Sequence, residues 1–196
     1  VAVTALTPTF AFADPATVLR IGDVVQTNGI TPADFTGNVS YRLESSTGDI
    51  RTIVVKVTVF TGLPVVTVNT VGGAPILTKE DYVSATINIY GGKDRPEYNL
   101  VNATTQIRGR GNSTWGNPKK PYRLKLATSA SLFGFPADRD WTLLANYWDQ
   151  ALVRNALAFK IGSMMTGIAY NPRCTPVELV LNGTHLGAYQ LCDHIE

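Results

Sequence analysis

The segment Gln106–Leu126, with sequence QIRGRGNSTWGNPKKPYRLKL, concentrates residue types that bind anions. Gly109 and Gly111 flank Arg110, and a polar Asn-Ser-Thr run and a Lys-Lys pair follow. Glycine has no Cβ, so its backbone N–H can come close to a phosphate, and arginine adds charge-assisted hydrogen bonds. We therefore predict that this segment binds an anion such as a phosphate group.

Spacing excludes two common phosphate-binding motifs. The interval from Gly111 to Gly116 fits the first half of a P-loop, but Asn117-Pro118 stands where Lys-Ser/Thr is required. Thr114 occupies the place of the third glycine in G-x-G-x-x-G. From spacing alone, a surface β-turn with solvated arginines is the competing interpretation.

Composition narrows the function classes. The net charge of +2 over 196 residues gives no support for nucleic acid as a partner, yet seven of the 17 Lys and Arg residues lie between Arg108 and Arg139. No apolar stretch approaches the roughly 18 residues of a membrane span. The two cysteines, Cys174 and Cys192, are too few for a disulfide scaffold or a zinc module.

Residues 1–61 are predicted to form a small β-sandwich-like module. Val39–Leu43 and Ile53–Val59 alternate apolar and polar side chains, and Ser45–Asp49 supplies a turn between them. The segment FTGNVSYRLESSTGDIRTIVVKVTV resembles small Ig-like or cadherin-like domains of bacterial surface proteins. Thr61–Pro64 is the predicted boundary before a second region, residues 65–196.

The second region alternates again over Val65–Asn69 and Val83–Ile89, which predicts strands. A helix is predicted from near Asp149, with Gly167 near its end. Asn182-Gly183 between alternating strands predicts a hairpin with a type I′ turn.

That hairpin also bears on the cysteines. An Asn-Gly turn that pairs Leu181 with Thr184 would place Cys174 opposite Leu191, one position away from Cys192. The pattern therefore favours unpaired cysteines, unless a bulge shifts the register.

Three segments together carry a family resemblance. They are IRGRGNSTW…KKPYRLKL, LFGF…DWTLLANYWDQALVRNALAFKIG and PVELVLNGTHLGAYQLCDHIE, in this order over about residues 106–196. The combination resembles the spore coat protein H (CotH) kinase family. It implies a secreted or surface-exposed bacterial protein with an atypical kinase-like fold, which binds ATP and Mg²⁺ and transfers phosphate to protein Ser or Thr. The implied fold class is α+β, with the β module followed by a β-rich, one-helix half like a kinase amino-terminal lobe, truncated at the hinge.

The resemblance also implies residue roles. Lys125 is the candidate for the lysine that pairs with the α- and β-phosphates, with Lys119 and Lys120 as alternatives. The helix has no glutamate to pair with that lysine, so Asp149 or Glu178 is the substitute, although Asp149 would equally serve as an N-cap. The remaining candidate nucleotide-binding residues are Arg108, Gly109, Arg110, Gly111, Asn112, Ser113 and Arg154.

The metal site is expected elsewhere. The resemblance places the magnesium-binding aspartates beyond Glu196, and the chain begins without methionine, so we expect a processed fragment that is inactive by itself. His185 and His194 have no partner at metal or triad spacing and are interpreted as incidental.

A non-catalytic module is the alternative function. In that hypothesis the chain attaches to surface or coat material, and Lys119, Lys120, Arg123 and Lys125 contact an acidic glycan or a protein. The expected partners are therefore a protein substrate or a surface or coat protein. The sequence does not predict an oligomeric state.

Overall fold

The chain divides into two compact units, Val1–Val59 and Phe60–Glu196. A computed structural model describes residues 3–92 and 94–194. Each unit has its own hydrophobic core, so the two are described separately.

The first unit contains one antiparallel sheet in the order β2-β1-β3-β4. Val39 and Tyr41 point inward from β3 and pack with Leu19 and Phe35. The predicted hairpin over Ser45–Asp49 is confirmed, since β3 pairs with β4. The strands are β1 (Val18–Ile21), β2 (Val24–Val25), β3 (Val39–Glu44) and β4 (Ile50–Val55).

The predicted sandwich is wrong for this unit. A sandwich needs two stacked sheets, whereas the described residues of the unit form one four-stranded sheet. Beyond that sheet, backbone hydrogen bonds join Leu6 and Ala33 in an isolated bridge. Alternation in the sequence showed which residues face a core, but it could not show how many sheets enclose it.

The second unit is a closed barrel of seven strands with one described α-helix outside it. The strand order is β10-β11-β9-β8-β7-β6-β5, and parallel pairing of β5 with β10 closes the barrel. The elements are β5 (Val65–Thr70), β6 (Val83–Tyr90), β7 (Leu100–Gly109), β8 (Tyr122–Ala130), β9 (Asp138–Leu144), α1 (Arg154–Met164), β10 (Cys174–Leu181) and β11 (Thr184–Asp193).

Side chains alternate between the barrel interior and its outer surface. On β8, Tyr122, Leu124 and Leu126 are buried in the core, while Arg123 and Lys125 between them are only half-buried. Successive residues of a strand face opposite sides of a sheet. The basic residues of β8 therefore lie on the outside of the barrel.

The kinase-lobe prediction of an α+β fold is wrong. The described residues are β-rich and form a closed barrel, and α1 is their single α-helix. It starts at Arg154 rather than near Asp149, and no residue of it is buried, so it adds nothing to the core. The pairing that closes the barrel joins strands more than 100 residues apart, which local patterns do not encode.

Among the described residues, none of the helices has the length and the apolar character that a membrane span needs.

The β10–β11 hairpin is confirmed, with Asn182 and Gly183 both at positive φ, as a type I′ turn requires. Its register differs from the prediction. A bulge between Glu178 and Val180 shifts the pairing, so Cys174 lies opposite Cys192 and not opposite Leu191.

The bulge region also holds a buried carboxylate. Glu178 is fully buried, and its Oε1 accepts hydrogen bonds from the backbone N–H and the hydroxyl of Thr61. Nε2 of His185 lies 2.5 Å from Oε2 of Glu178, and the Phe60 ring packs edge-on against the imidazole. His185 therefore has a structural partner, contrary to its interpretation as incidental. Glu178 binds this histidine rather than a strand lysine.

These contacts change the ionisation of Glu178. Burial alone would raise the pKa of Glu178, but the hydrogen bonds from Thr61 and His185 outweigh it and leave that pKa below its ordinary value of 4.5. A carboxylate with a lowered pKa in the folded state adds stability above its unfolded-state pKa. That stability is lost as the pH falls through the folded-state value.

We therefore expect the Glu178→Gln variant to flatten the acid side of the stability curve. In the wild type, the free energy of unfolding of the second unit should fall between roughly pH 5 and pH 3 in part because Glu178 takes up a proton. Chemical unfolding across this range measures the slope, and Glu97→Gln, at an exposed glutamate, is the matched control. An unchanged slope in Glu178→Gln would contradict the assignment.

Candidate functional site

Two loops on the outside of the barrel enclose a cavity of about 280 Å³. One joins β7 to β8 and contains the glycine segment, and the other joins β9 to α1. Both were singled out in the sequence, and the structure brings them together. The lining residues are Arg110, Thr114, Asn117, Lys119, Pro121, Leu144, Ala145, Asn146, Tyr147, Trp148, Asp149, Arg154 and Asn155.

Close packing requires glycine at two positions, Gly109 at the end of β7 and Gly111 in the first loop. The Gly109 N–H donates to the Thr78 carbonyl at 2.9 Å, and a Cβ added at Gly109 would lie 2.6 Å from the Trp115 ring. Gly111 has φ +84°, and a Cβ there would lie 2.0 Å from the Thr114 hydroxyl. Larger residues would displace the turn that carries Arg110 into the cavity.

Arg110 and Lys119 are the two partly buried cations of the lining, which also includes exposed Arg154. Burial lowers the pKa of Arg110, and nearby Arg123 lowers it further, while Cys192 acts in the opposite direction. Burial also lowers the pKa of Lys119, whose Nζ donates to the Ala188 carbonyl and lies 4.6 Å from the centre of the Tyr189 ring.

Neither cation is neutralised by a carboxylate. The ion pairs among the described residues include neither Arg110 nor Lys119. A partly buried charge without a counter-charge is unfavourable. An anionic ligand in the cavity would remove that cost, which favours the anion-binding interpretation over a turn with solvated arginines.

Side-chain amides add neutral polar groups to the lining. Nδ2 of Asn146 donates to Oε1 of Gln190 at 2.8 Å, and Nδ2 of Asn155 donates to Oδ1 of Asn146 at 2.8 Å. Asn117 is 8% exposed, and its Nδ2 has no hydrogen-bond partner among the described residues. A buried N–H donor without a partner is uncommon in folded proteins, so Asn117 offers a donor to a ligand.

Asp149 lies at the junction between the cavity and α1. Its Oδ2 accepts a hydrogen bond from the backbone N–H of Arg154 at 2.7 Å, and its Oδ1 lies 3.7 Å from Nε of Arg154. The carboxylate thus caps the first N–H of the helix from a distance along the chain, because the N-cap residue is Val153 and not Asp149 as predicted. The Arg154 side chain is 81% exposed, whereas the Asp149 side chain is only 12% exposed.

Other predicted residues lie outside the cavity lining. Lys125 contributes to a separate groove with Gln106 and Arg139. Nζ of Lys120 donates to the Trp115 carbonyl at 2.6 Å, and the Arg108 guanidinium lies over the Tyr82 ring. The structure therefore brings Arg110, Lys119, Asp149 and Arg154 together, but not Lys125, Lys120 or Arg108. Asn112 and Ser113 lie at the exposed start of the short 3₁₀ turn Ser113–Gly116.

The amide groups were not predicted from the sequence. No role was expected for Asn117, Asn146 or Gln190. Asn146 lies within the LLANY motif, and Asn117 occupies the place where a P-loop would have lysine. The signal that could have found Asn117 was its position directly after the glycine segment, which was used only to exclude a P-loop.

The lining suits a phosphate better than a metal ion. Among residues 3–92 and 94–194, no group of three or more His, Cys, Asp or Glu side chains could hold a metal. In the cavity, Asp149 is the only carboxylate of the described lining; its Oδ2 accepts from the helix N–H, and its Oδ1 is buried without a hydrogen-bond partner among the described residues. Oxygen ligands for Mg²⁺ are therefore not gathered here.

One protein family has a sequence model that matches part of this chain. A sequence model of the CotH kinase protein family matches residues 107–196. The match covers under half of the chain but contains every lining residue of the cavity. No curated protein matches the chain.

We expect the Asp149→Ala variant to loosen the start of α1. Loss of a helix-capping acceptor lowers the stability of a helix by about 1 kcal/mol. The backbone amides of the first turn of α1 should therefore exchange with deuterium several-fold faster than in the wild type. Asp149→Asn retains an acceptor oxygen and is the matched control, with a smaller effect expected. Equal exchange in wild type and Asp149→Ala would contradict the capping role.

Proposed function

We propose that the Phe60–Glu196 unit binds the phosphate groups of a nucleotide such as ATP in this cavity, as part of an atypical protein kinase-like protein. The observation that carries the proposal is the pair of partly buried, unneutralised cations, Arg110 and Lys119, in the segment that matches the CotH kinase family. The unpartnered amide of Asn117 lies in the same lining and supports it.

Each lining group has a distinct proposed role. Arg110 binds phosphate oxygens through its planar guanidinium, which suits bidentate contacts. Lys119 is held at one N–H by the Ala188 carbonyl, which leaves its remaining N–H donors for a second phosphate. Asn117 donates a neutral hydrogen bond, and exposed Arg154 closes over the ligand from the helix.

Phosphoryl transfer depends mainly on positioning and charge stabilisation. In the proposal, this unit supplies those two functions for the transferred phosphate. The magnesium ligands would come from carboxylates outside the described residues, as the family resemblance implies. The chain by itself would then bind phosphate weakly and transfer none to protein Ser or Thr.

The positions of the lysines change which of them we assign to the α- and β-phosphates. The sequence analysis favoured Lys125 for the α- and β-phosphates, with Lys119 and Lys120 as alternatives. Because Lys119 lines the cavity and Lys125 faces a separate groove, we propose Lys119 for this role. Lys125 then provides a matched control, since it is also a half-buried lysine of the same unit.

Location and partner rest on the resemblance alone. We propose a secreted or cell-surface bacterial protein that acts on the hydroxyl groups of a protein substrate. The alternative, a non-catalytic module that binds acidic surface or coat material, would use the basic outer surface of β8. On that surface Arg123 is already paired with Asp140 at 2.7 Å, which reduces the charge available to a glycan.

Titration calorimetry with ATP and with tripolyphosphate tests the proposal. Lys119→Ala should weaken binding of both ligands by about tenfold or more, because a charge-assisted hydrogen bond contributes roughly 1.5–3 kcal/mol. Lys125→Ala should leave the affinity unchanged. Circular dichroism of each variant checks that the fold is retained.

Two outcomes would overturn the proposal. If Lys119→Ala and Lys125→Ala lose the same amount of binding affinity, the anion would lie on the outer surface of β8. Absence of binding by the wild type to either ligand would reject a phosphate site in the cavity. Binding of a sulfated glycan with a steep salt dependence, abolished by Lys125→Ala, would favour the surface-attachment alternative.

A further inference from the structure

The two cysteines face each other across the β10–β11 hairpin. Cys174 pairs directly with Cys192, and both side chains point to the outer side of the barrel, since Val177 and Leu191 point into the core. This alignment results from the bulge between Glu178 and Val180. Without the bulge the thiols would lie on opposite faces of the hairpin.

The local hydrogen bonding places the thiols at a favourable separation. The N–H of Asp193 donates to the carbonyl of Arg173 at 3.1 Å, so Cys174 and Cys192 form the non-hydrogen-bonded pair next to it. Such pairs have Cα atoms about 4.5 Å apart. Disulfides join Cα atoms about 4.4–6.8 Å apart, so a bond between these cysteines needs no change of strand pairing.

We propose that Cys174 and Cys192 are a redox pair, which forms a reversible intrachain disulfide by exchange with a small-molecule disulfide, with Cys174 reacting first. The proposal is independent of nucleotide binding.

The Cys174 thiol is more accessible to solvent than the Cys192 thiol, as a first reaction at Cys174 requires. Cys174 is partly exposed and borders two surface cavities, of about 180 Å³ and 530 Å³. Cys192 is 2% exposed. A disulfide in solution therefore reaches Cys174, whereas Cys192 is reached only by its neighbour.

The ionisation of the thiols follows the same order. The hydrogen bond from Cys192 lowers the pKa of Cys174, although burial and Asp193 act against this. The same contact and burial raise the pKa of Cys192, opposed by Arg110. Since the thiolate is the nucleophile in exchange, Cys174 is the better attacking group.

The reaction proceeds in two balanced steps. The Cys174 thiolate attacks one sulfur of a disulfide RSSR, forms a mixed disulfide and releases one RS⁻, which takes up the proton that Cys174 had lost. Cys192 then gives its proton to solvent and attacks the Cys174 sulfur, which releases the second thiol. The two protein thiols are oxidised by two electrons, and RSSR is reduced to two RSH.

Oxidised glutathione applied to the full native chain tests the proposal. After removal of the reagent and denaturation without reductant, we expect no free thiol, a monomeric chain and a mass lower by two hydrogens. Dithiothreitol should restore both thiols. The proposal is overturned if the wild-type chain retains both thiols or keeps a stable glutathione adduct. Both results are obtained with the wild-type protein alone.

Single substitutions test the order of reaction. Cys192→Ser should accumulate glutathione on Cys174, because the second step is blocked. Cys174→Ser should remain unmodified while folded, because Cys192 is buried. An adduct on Cys192 in Cys174→Ser, formed as fast as that on Cys174 in Cys192→Ser, would overturn the assignment of Cys174 as the first nucleophile.

Oxidation should also stabilise the unit. The bond would enclose residues 174–192, and closing a loop of this length raises Tm by roughly 5 °C or more in a unit of this size. Differential scanning calorimetry of the oxidised and reduced wild type measures the shift. A lower Tm after oxidation would show a strained bond and contradict the favourable alignment.

Discussion

Parallel pairing between β5 and β10 is the constraint on which the second unit depends. It joins Val65–Val68 to Glu178–Leu181 and converts an open sheet into a barrel. Closure commits one face of every strand to the apolar core. The charged and amide side chains of the strands therefore face away from that core, some of them buried as Glu178 is, and the β7–β8 and β9–α1 connections form the cavity.

Strand β11 contacts both the cavity lining and the cysteine pair. Its Ala188 carbonyl and Tyr189 ring hold Lys119, its Gln190 binds Asn146, and its Cys192 faces Cys174. The interior-facing residues of the same strand fill the core. Packing of the core thus positions the groups of β11 that contact the cavity lining.

Local features were predictable from the sequence, and long-range ones were not. The Asn182-Gly183 turn and the β3–β4 hairpin depend on neighbouring residues, and both were found. Barrel closure depends on the pairing of β5 with β10, which are far apart in the sequence. The cysteine alignment depends on a β-bulge that no sequence pattern indicates. The residue types of the glycine segment were enough to predict that it lines a binding site. The unpartnered amide of Asn117 could be recognised only once its burial was known.

The most direct test of the anion site is a side-chain amide NMR titration with tripolyphosphate. We predict shifts of the Asn117, Asn146 and Asn155 amide signals, with the Gln106 signal unchanged because Gln106 lies in the groove with Lys125. Shifts of the Gln106 signal with constant Asn117 and Asn146 signals would contradict the account and move the anion to the outer surface of β8.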